Sequence, residues 1–417
     1  MIKSDRVRFL IAVIFLLGSI SYVPTGTVFC LAQGRPVSRE SSEKVRDPRK
    51  APPKSAEVSK SRSKSSPMKD EDASRAPGAK KSKSSQASRE SKESKKTKEP
   101  KKSPPKKKGK KAKEPEDTRT FEEKERDRIA HFKETGIWLW PELSDEQFEK
   151  RTTEQKEYLE KVKAAFPQLP LAYYESKHFF YLTDAPPLIA NQCLQYLEAM
   201  HEKLSQIFGF PKDHPVWYGK CIVVAFVHQQ NFQLYEQTFF QNNSMFEGAS
   251  GLAHTRSDGD VVISLFYGDV SRAEGRWRFF GVLVHETTHG FVHRYRARQE
   301  VPLWLNEGLA EFMACTIIPA DRQVPLKQKK GLEMMRQTGS VGGLLDEEMR
   351  LDLWQYGVTS GLVMHIFKQN PKAFVEFFDS VKDGKEWRQA LMDSYKCTPE
   401  EMLIHFGRAN RIPQLRP

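Results

Sequence analysis

The chain has 417 residues and a formal net charge of +13, but this charge is unevenly distributed. Residues 34–117 contain 28 lysines and arginines against 13 aspartates and glutamates, and residues 1–33 add a net +2. The last 300 residues therefore carry a net charge of −4. A folded region with this balance lacks the basic surface of a nucleic-acid-binding domain, so specific nucleic-acid binding is not expected.

Residues 1–32 have the pattern of a secretory signal peptide. Three basic residues precede an apolar run over residues 9–17, and small or polar residues then lead to Ala32. This pattern predicts a protein that is secreted or held in the periplasm or cell envelope. The alternative is an uncleaved anchor that keeps the chain at the membrane, but Pro24 leaves a short apolar run for a bilayer span.

Residues 33–117 are rich in lysine, serine and proline and contain no aromatic residue. Such a segment cannot bury enough apolar surface to offset its chain entropy, so it is predicted to be disordered. Its positive charge is suited to attracting an acidic envelope polymer. The lysine run at 101–113 has no interleaved aromatic residues, which predicts only non-specific, salt-sensitive attraction to nucleic acids.

Residues 118–168 are predicted to form a charged helical lead-in of one or two surface helices. An apolar group at residues 137–140 interrupts the charged pattern just before Pro141. Two interpretations remain open from the sequence: the lead-in packs against the following domain, or it forms a separate binding module.

Residues 169–411 are predicted to form the main domain. Apolar runs predict strands at 179–182 and 221–227, and helical periodicity predicts a helix over 188–208. Asp258 and Gly259 predict a hairpin that joins 251–253 to 261–265. From about residue 272 the pattern is helical to the end. A small β-sheet front half followed by a helical back half predicts an α+β fold.

Four cysteines remain after the predicted signal, and their spacing is wide and irregular: Cys193, Cys221, Cys315 and Cys397. This spacing has neither the form of a zinc ribbon nor that of a redox motif. Two disulfides and four buried thiols are both compatible with it.

A His-Glu-x-x-His motif spans residues 285–289 and follows an apolar run at 279–284. On a helix, His285 and His289 lie on one face, so their two imidazoles can bind a single Zn²⁺. Glu286 is then placed beside the attacking water, where it can act as general base. The motif predicts a metal-binding helix that passes through the core.

A second predicted helix begins near Pro302 and carries Glu307, 18 residues after His289. A zinc site with two histidines and one glutamate needs such a third ligand and an open position for water. Glu311 lies one turn further on the same face. Gly308 is expected to let the two motif-bearing helices approach closely, because it has no side chain.

The motif at 285–289 together with Asn306-Glu307-Gly308-Leu309-Ala310-Glu311 resembles the gluzincin, or thermolysin-like, superfamily of zinc metallopeptidases, and in particular its exported peptidase MA-like branch. The resemblance implies a thermolysin-like zincin domain with zinc as cofactor. It also implies that Glu307 is the third ligand and that Glu311 accepts the far N–H of a zinc-bound histidine. Aminopeptidase members have one more residue between the second histidine and the glutamate, so aminopeptidase specificity is not implied.

Three further residues are relevant to the predicted site. Tyr356 is the candidate donor to the developing oxyanion, and the alternative is a core tyrosine. His365 lies nine residues later and points to the opposite face of a continuous helix. His293 is predicted to make hydrogen bonds rather than bind metal. Metzincin chemistry is excluded because Tyr295 stands where the third histidine of that class is needed.

These observations predict an exported zinc peptidase that acts on peptide or protein substrates through a metal-activated water. The alternative is an envelope-associated binding or scaffold protein with a silent metal site and a basic tail. The complete set of metal-binding and base residues favours the enzyme.

Overall fold

The computed structural model describes residues 26–28, 119–210, 214–242, 249–256, 258–346 and 350–417. These residues form a mixed α+β structure with 11 helices and one sheet, which confirms the predicted α+β class at that level. The predicted disordered segment lies outside the described residues, as does the predicted signal apart from Gly26–Val28. No helix among the described ranges is long and apolar enough to span a bilayer.

The sheet has the order β1-β5-β6-β4-β3-β2. Its strands are β1 Gly26–Val28, β2 Ala172–Glu175, β3 Phe179–Thr183, β4 Cys221–Phe226, β5 Gly251–Thr255 and β6 Val261–Phe266. The central strands β3, β4 and β6 run parallel, and the outer strands pair antiparallel with their neighbours. Strands β3 and β4 are buried along their whole length, which explains their continuous apolar sequences.

Eleven helices surround the sheet and form the C-terminal half. They are α1 Phe121–Thr135, α2 Asp145–Ala165, α3 Pro187–Phe208, α4 Gln229–Phe240, α5 Ala273–Arg294, α6 Leu303–Ile317, α7 Gln323–Thr338, α8 Leu353–Gln369, α9 Pro371–Lys382, α10 Trp387–Tyr395 and α11 Pro399–Ala409. The predicted helix at 188–208, the hairpin at 251–265 and the helical back half are confirmed. Strand β2 and helix α4 were not predicted, because neither has a clear apolar period in the sequence.

The two faces of the sheet belong to two different hydrophobic clusters. Alternate side chains of β3 and β4 pack with α3 and α5 on one face, and the intervening side chains pack with α2 and α4 on the other. The first cluster continues into helices α6 to α11. The sheet therefore forms the support against which α5, the helix with the His-Glu-x-x-His motif, is buried.

The lead-in at 118–168 packs against the main domain and is part of the same compact unit. The Arg151 guanidinium forms a 2.6 Å ion pair with Asp260 beside the hairpin turn. The indole N–H of Trp140 donates to the carbonyl of His293 at 2.9 Å, and the Arg294 guanidinium lies 4.3 Å from the Trp140 ring centroid. These contacts fix α2 and the apolar group at 137–140 on the domain, so a separate module is not formed.

The four cysteines Cys193, Cys221, Cys315 and Cys397 are free thiols, and the first two are buried. The structure therefore shows no disulfide between these four cysteines, which excludes the two-disulfide alternative.

Gly308 allows close helix packing, but against a different helix from the one expected. A Cβ atom at Gly308 would lie 2.5 Å from Cγ2 of Val363 and 2.7 Å from the carbonyl oxygen of Thr359, both on α8. The expectation that this glycine brings α5 and α6 together was therefore wrong. Its role is to seat α6 on α8, which lies behind the motif-bearing pair.

We predict that Gly308→Ala lowers the free energy of unfolding by about 1–3 kcal/mol, because the new methyl group overlaps backbone and side-chain atoms of α8. Gly361→Ala is a matched control within α8, since its nearest neighbour is a ring carbon of Phe406 at 3.2 Å. There the gain in helix propensity, about 1 kcal/mol, offsets the tighter packing. Urea titrations of both variants measure their free energies of unfolding. Equal free energies for Gly308→Ala and Gly361→Ala would contradict the prediction.

Candidate metal centre

Helix α5 carries the motif through the interior of the protein. The side chains of His285, Glu286 and His289 are buried on it, with Glu286 fully inaccessible. Helix α6 begins directly after Pro302 and brings Glu307 and Glu311 to the same place, both 1% exposed or less. The two helices thus bring five polar side chains together within the apolar interior.

Three of these side chains meet with the spacing of metal ligands. His285 Nε2 lies 3.2 Å from His289 Nε2 and 3.3 Å from Glu307 Oε2, and His289 Nε2 lies 3.6 Å from the same oxygen. A tetrahedral zinc with ligands at about 2.0–2.1 Å places neighbouring ligand atoms about 3.3 Å apart. The three atoms therefore fit three corners of such a site. It is the one group of this kind in the part of the chain that the structure describes.

The far nitrogen of each imidazole faces an oxygen of α6. Asn306 Oδ1 lies 2.9 Å from His289 Nδ1, within hydrogen-bonding distance, and Glu311 Oε1 lies 3.6 Å from His285 Nδ1, within ion-pairing distance. When Nδ1 carries the proton, each Nε2 presents its lone pair to the point between the three ligand atoms. Asn306 therefore favours the metal-binding tautomer of His289, and the charge of Glu311 favours a proton on Nδ1 of His285.

Glu311 is held in turn by a partly buried cation on α7. The Lys327 ammonium donates to Glu311 Oε1 at 2.5 Å and lies 5.4 Å from the ring centroid of Tyr356. An isolated carboxylate in this interior would be costly, and the lysine compensates its charge. The chain Lys327–Glu311–His285 fixes one side of the candidate site.

Glu286 differs from the other carboxylates because neither of its oxygens has a hydrogen-bond partner among the described residues. Burial is the largest cause that raises the pKa of its carboxyl, with Glu307 and Glu311 adding to it and His285 and Lys327 opposing it, and the resulting pKa is about 8. A divalent cation nearby would lower that pKa again. A buried carboxyl without a partner is suited to exchanging a proton with a water molecule.

The two histidines differ in their electrostatic surroundings. Burial lowers the pKa of both rings, but Glu307, Glu311 and Glu286 outweigh it at His285, whose pKa is raised overall. At His289 burial dominates, and its pKa is lowered. Both rings must be neutral to bind a metal, so protons compete with a metal more strongly at His285 than at His289.

Tyr356 lies close to the three ligand residues, whereas His365 and His293 lie away from them. Tyr356 lines a small cavity of about 20 Å³ together with His285, Glu311 and Lys327, which is space for about one water molecule. His365 faces away on the same continuous helix and packs against Phe406.

His293 also lies outside the ligand group. Its ring contacts Trp140, with the two ring centroids 5.2 Å apart. Burial lowers its pKa to about 3, so the ring is neutral. Its Nε2 has no hydrogen-bond partner among the described residues, so the hydrogen-bonding role expected from the sequence is not shown at that nitrogen.

Sequence reasoning missed Asn306, Lys327 and Gly251. Asn306 could have been found from its place immediately before Glu307 in the second motif. Gly251 begins β5, and a Cβ atom there would lie 3.0 Å from Cγ of Glu286, so the strand passes unusually close to the candidate base. Nothing in the local sequence marks Lys327, which reaches the site only through the packing of α7.

No known protein-family model matches the chain, and no curated protein is significantly similar to it in sequence.

We predict that Glu307→Ala is purified nearly free of zinc, whereas Glu311→Ala retains zinc with about 10–100-fold lower affinity. The reason is that Glu307 Oε2 faces both imidazole Nε2 atoms, while Glu311 faces only the far nitrogen of His285. Competition with a chromogenic chelator measures both affinities, with the wild-type chain as reference. A greater loss in Glu311→Ala would reverse the assignment.

Proposed function

We propose that this protein is an exported zinc-dependent peptidase, with the metal bound by His285, His289 and Glu307. The observation that carries the proposal is the unpartnered, buried carboxyl of Glu286 next to three atoms with zinc-ligand spacing. A purely structural cluster would leave this carboxylate buried at considerable cost. A hydrolytic site needs a base there.

Each residue has a separate task in the proposed reaction. Bound zinc would polarise the scissile carbonyl and lower the pKa of the attacking water. Glu286 accepts the proton of that water and delivers it to the leaving amine, so no covalent intermediate with the protein is needed. Asn306 and Glu311 favour the metal-binding tautomers of the two imidazoles.

Tyr356 is the proposed donor to the developing oxyanion. It is 7% exposed and shares a cavity with His285, which brings it to the metal side of α8. A phenol donates one hydrogen bond without carrying charge at neutral pH, which is suited to stabilising negative charge in the transition state.

The sheet edge suggests how an extended peptide would lie. Strand β5 passes within contact distance of Glu286 at Gly251, and its outer side pairs with Gly26–Val28. Those three residues belong to the predicted signal. Signal removal would therefore leave the outer edge of β5 available for main-chain pairing with a peptide substrate.

We expect Glu286→Gln to retain zinc and to lose at least roughly a thousandfold in turnover, because the amide keeps the shape of the side chain but cannot accept the proton. Glu274→Gln, in the exposed first turn of α5, is the matched control and should leave turnover unchanged. The measurements are metal content and chelator-sensitive cleavage of a diverse peptide library by residues 118–417. Loss of zinc, or near-normal turnover, would show that Glu286 is not the base.

Tyr356→Phe should lower the turnover number by about ten- to a thousandfold at unchanged zinc content, the range for loss of one oxyanion donor. Tyr395→Phe removes another partly buried phenol hydroxyl, one that donates to the carbonyl of Ile366, and serves as control. The turnover numbers of the two variants are compared by steady-state kinetics on one peptide that the wild-type protein cleaves. If Tyr356→Phe has wild-type kinetics, this tyrosine is a core residue.

A further inference from the structure

A second, larger cavity opens on the His289 side of the candidate metal centre. Its volume is about 530 Å³, and His289 and its hydrogen-bond partner Asn306 form part of its wall. The rest of the lining comes from the end of α5, the segments 299–302 and 344–346, the start of α6, and the junction of α9 and α10. A molecule bound in this cavity would therefore lie next to the metal ligands.

Lys382 lines this cavity as a buried cation without a buried counter-ion. The residue is 1% exposed, and its ammonium donates to the carbonyl of Gln299 at 2.5 Å. Among the described residues no carboxylate lies within ion-pairing distance of it. An ammonium has three N–H donors, so two remain for other acceptors. Burial lowers the pKa of Lys382 to about 7, opposed by Glu300 and Asp383 and assisted by Arg294.

Trp304 adds to the cavity lining a buried donor that has no acceptor in the described part of the chain. The residue is 2% exposed, and its indole N–H has no hydrogen-bond partner among the described residues. Indole N–H groups and ammonium groups can only donate. Both side chains line the same cavity: within the described ranges the indole N–H lacks an acceptor, and the ammonium has two N–H donors left beyond its bond to Gln299. The charge of Lys382 makes an anionic acceptor the most favourable one for these donors.

The remaining walls restrict what kind of anion fits. Most are apolar, and the charged side chains at the opening are exposed. Three of these are acidic: Glu300, Asp346 and Glu386. Lys385 also lies there, but it is paired with Asp393 at 2.8 Å. An anion with several charges would meet the acidic opening, whereas a single carboxylate on an apolar arm would reach the buried donors.

We propose that this cavity binds one carboxylate of a peptide substrate, through the Lys382 ammonium and the Trp304 indole N–H, next to the metal centre. The inference rests on the proposed peptidase function and adds a substrate class to it. The carboxylate is either the C-terminus of a chain that ends in an apolar residue or the side chain of a glutamate. In both cases the carboxylate helps determine which peptide bond reaches His289 and Glu286.

The test is a binding measurement that needs no turnover. Fluorescence anisotropy of the zinc-loaded Glu286→Gln chain is measured with two pairs of fluorescein-labelled pentapeptides. One pair ends in leucine as the free acid or the amide; the other has an amidated end and an internal glutamate or glutamine. We expect one carboxylate peptide to bind roughly ten- to a hundredfold more tightly than its neutral partner, the value of a charge-assisted hydrogen bond. The pair that shows the difference identifies the source of the carboxylate.

Variants assign this preference to the cavity. Lys382→Met should abolish it and Lys382→Arg should retain most of it, while Lys372→Met, at an exposed lysine of α9 outside the cavity, should leave it unchanged. Equal affinities within both peptide pairs would overturn the proposal, and so would a preference that survives in a Lys382→Met chain with wild-type circular dichroism. If Lys382→Met does not fold, Trp304→Phe replaces it, and an unchanged preference there also overturns the proposal.

The inference and the peptidase proposal can fail separately. Chelator-sensitive cleavage without any carboxylate preference would remove only the inference. A carboxylate preference in a protein that binds zinc but cleaves no peptide would remove only the peptidase function.

Discussion

The central constraint on this structure is the burial of three carboxylates around two imidazoles. Glu286, Glu307 and Glu311 are all 1% exposed or less, and among the described carboxylates Lys327 pairs with Glu311 alone. Uncompensated carboxylates are too costly to leave in a protein interior, so the remaining negative charge requires either protons or a cation. A divalent metal ion among the ligand atoms would supply the missing charge, which is a physical reason for the cluster to exist.

The rest of the fold serves to keep this cluster in place. Helix α5 can be buried because the sheet covers one of its sides and α6 covers another. Gly308 then lets α6 sit directly on α8, which fixes the height at which Glu307 and Glu311 face α5. On the sheet side, Gly251 lets β5 approach Glu286. Small residues at these contacts act together with the hydrogen bond between His289 on α5 and Asn306 on α6 to position the cluster.

The His285 and His289 sides of the candidate metal site differ in whether the nearby lysine is paired with a carboxylate. On the His285 side, Lys327 is neutralised by Glu311 and leaves a cavity of about one water. On the His289 side, a neutral asparagine orients the ring, and Lys382 remains without a carboxylate beside a cavity of about 530 Å³. The lysine charge on the His285 side is therefore balanced by a carboxylate, whereas the cavity on the His289 side is lined by N–H donors that lack acceptors among the described residues. A ligand carboxylate on the His289 side would complete the charge balance.

The sequence by itself determined the residues of the group and the elements that carry them. Helical spacing placed His285 and His289 on one face, and the run from Pro302 placed Glu307 and Glu311 on a second helix, because a period of 3.6 residues is fixed by the backbone. Local patterns could not say which helix Gly308 contacts. Nor could they show that Lys327 reaches Glu311 across 16 residues, or that Lys382 and Trp304 line one cavity. Such pairings depend on how whole elements pack, and that packing is decided by the summed burial of many side chains rather than by any local signal.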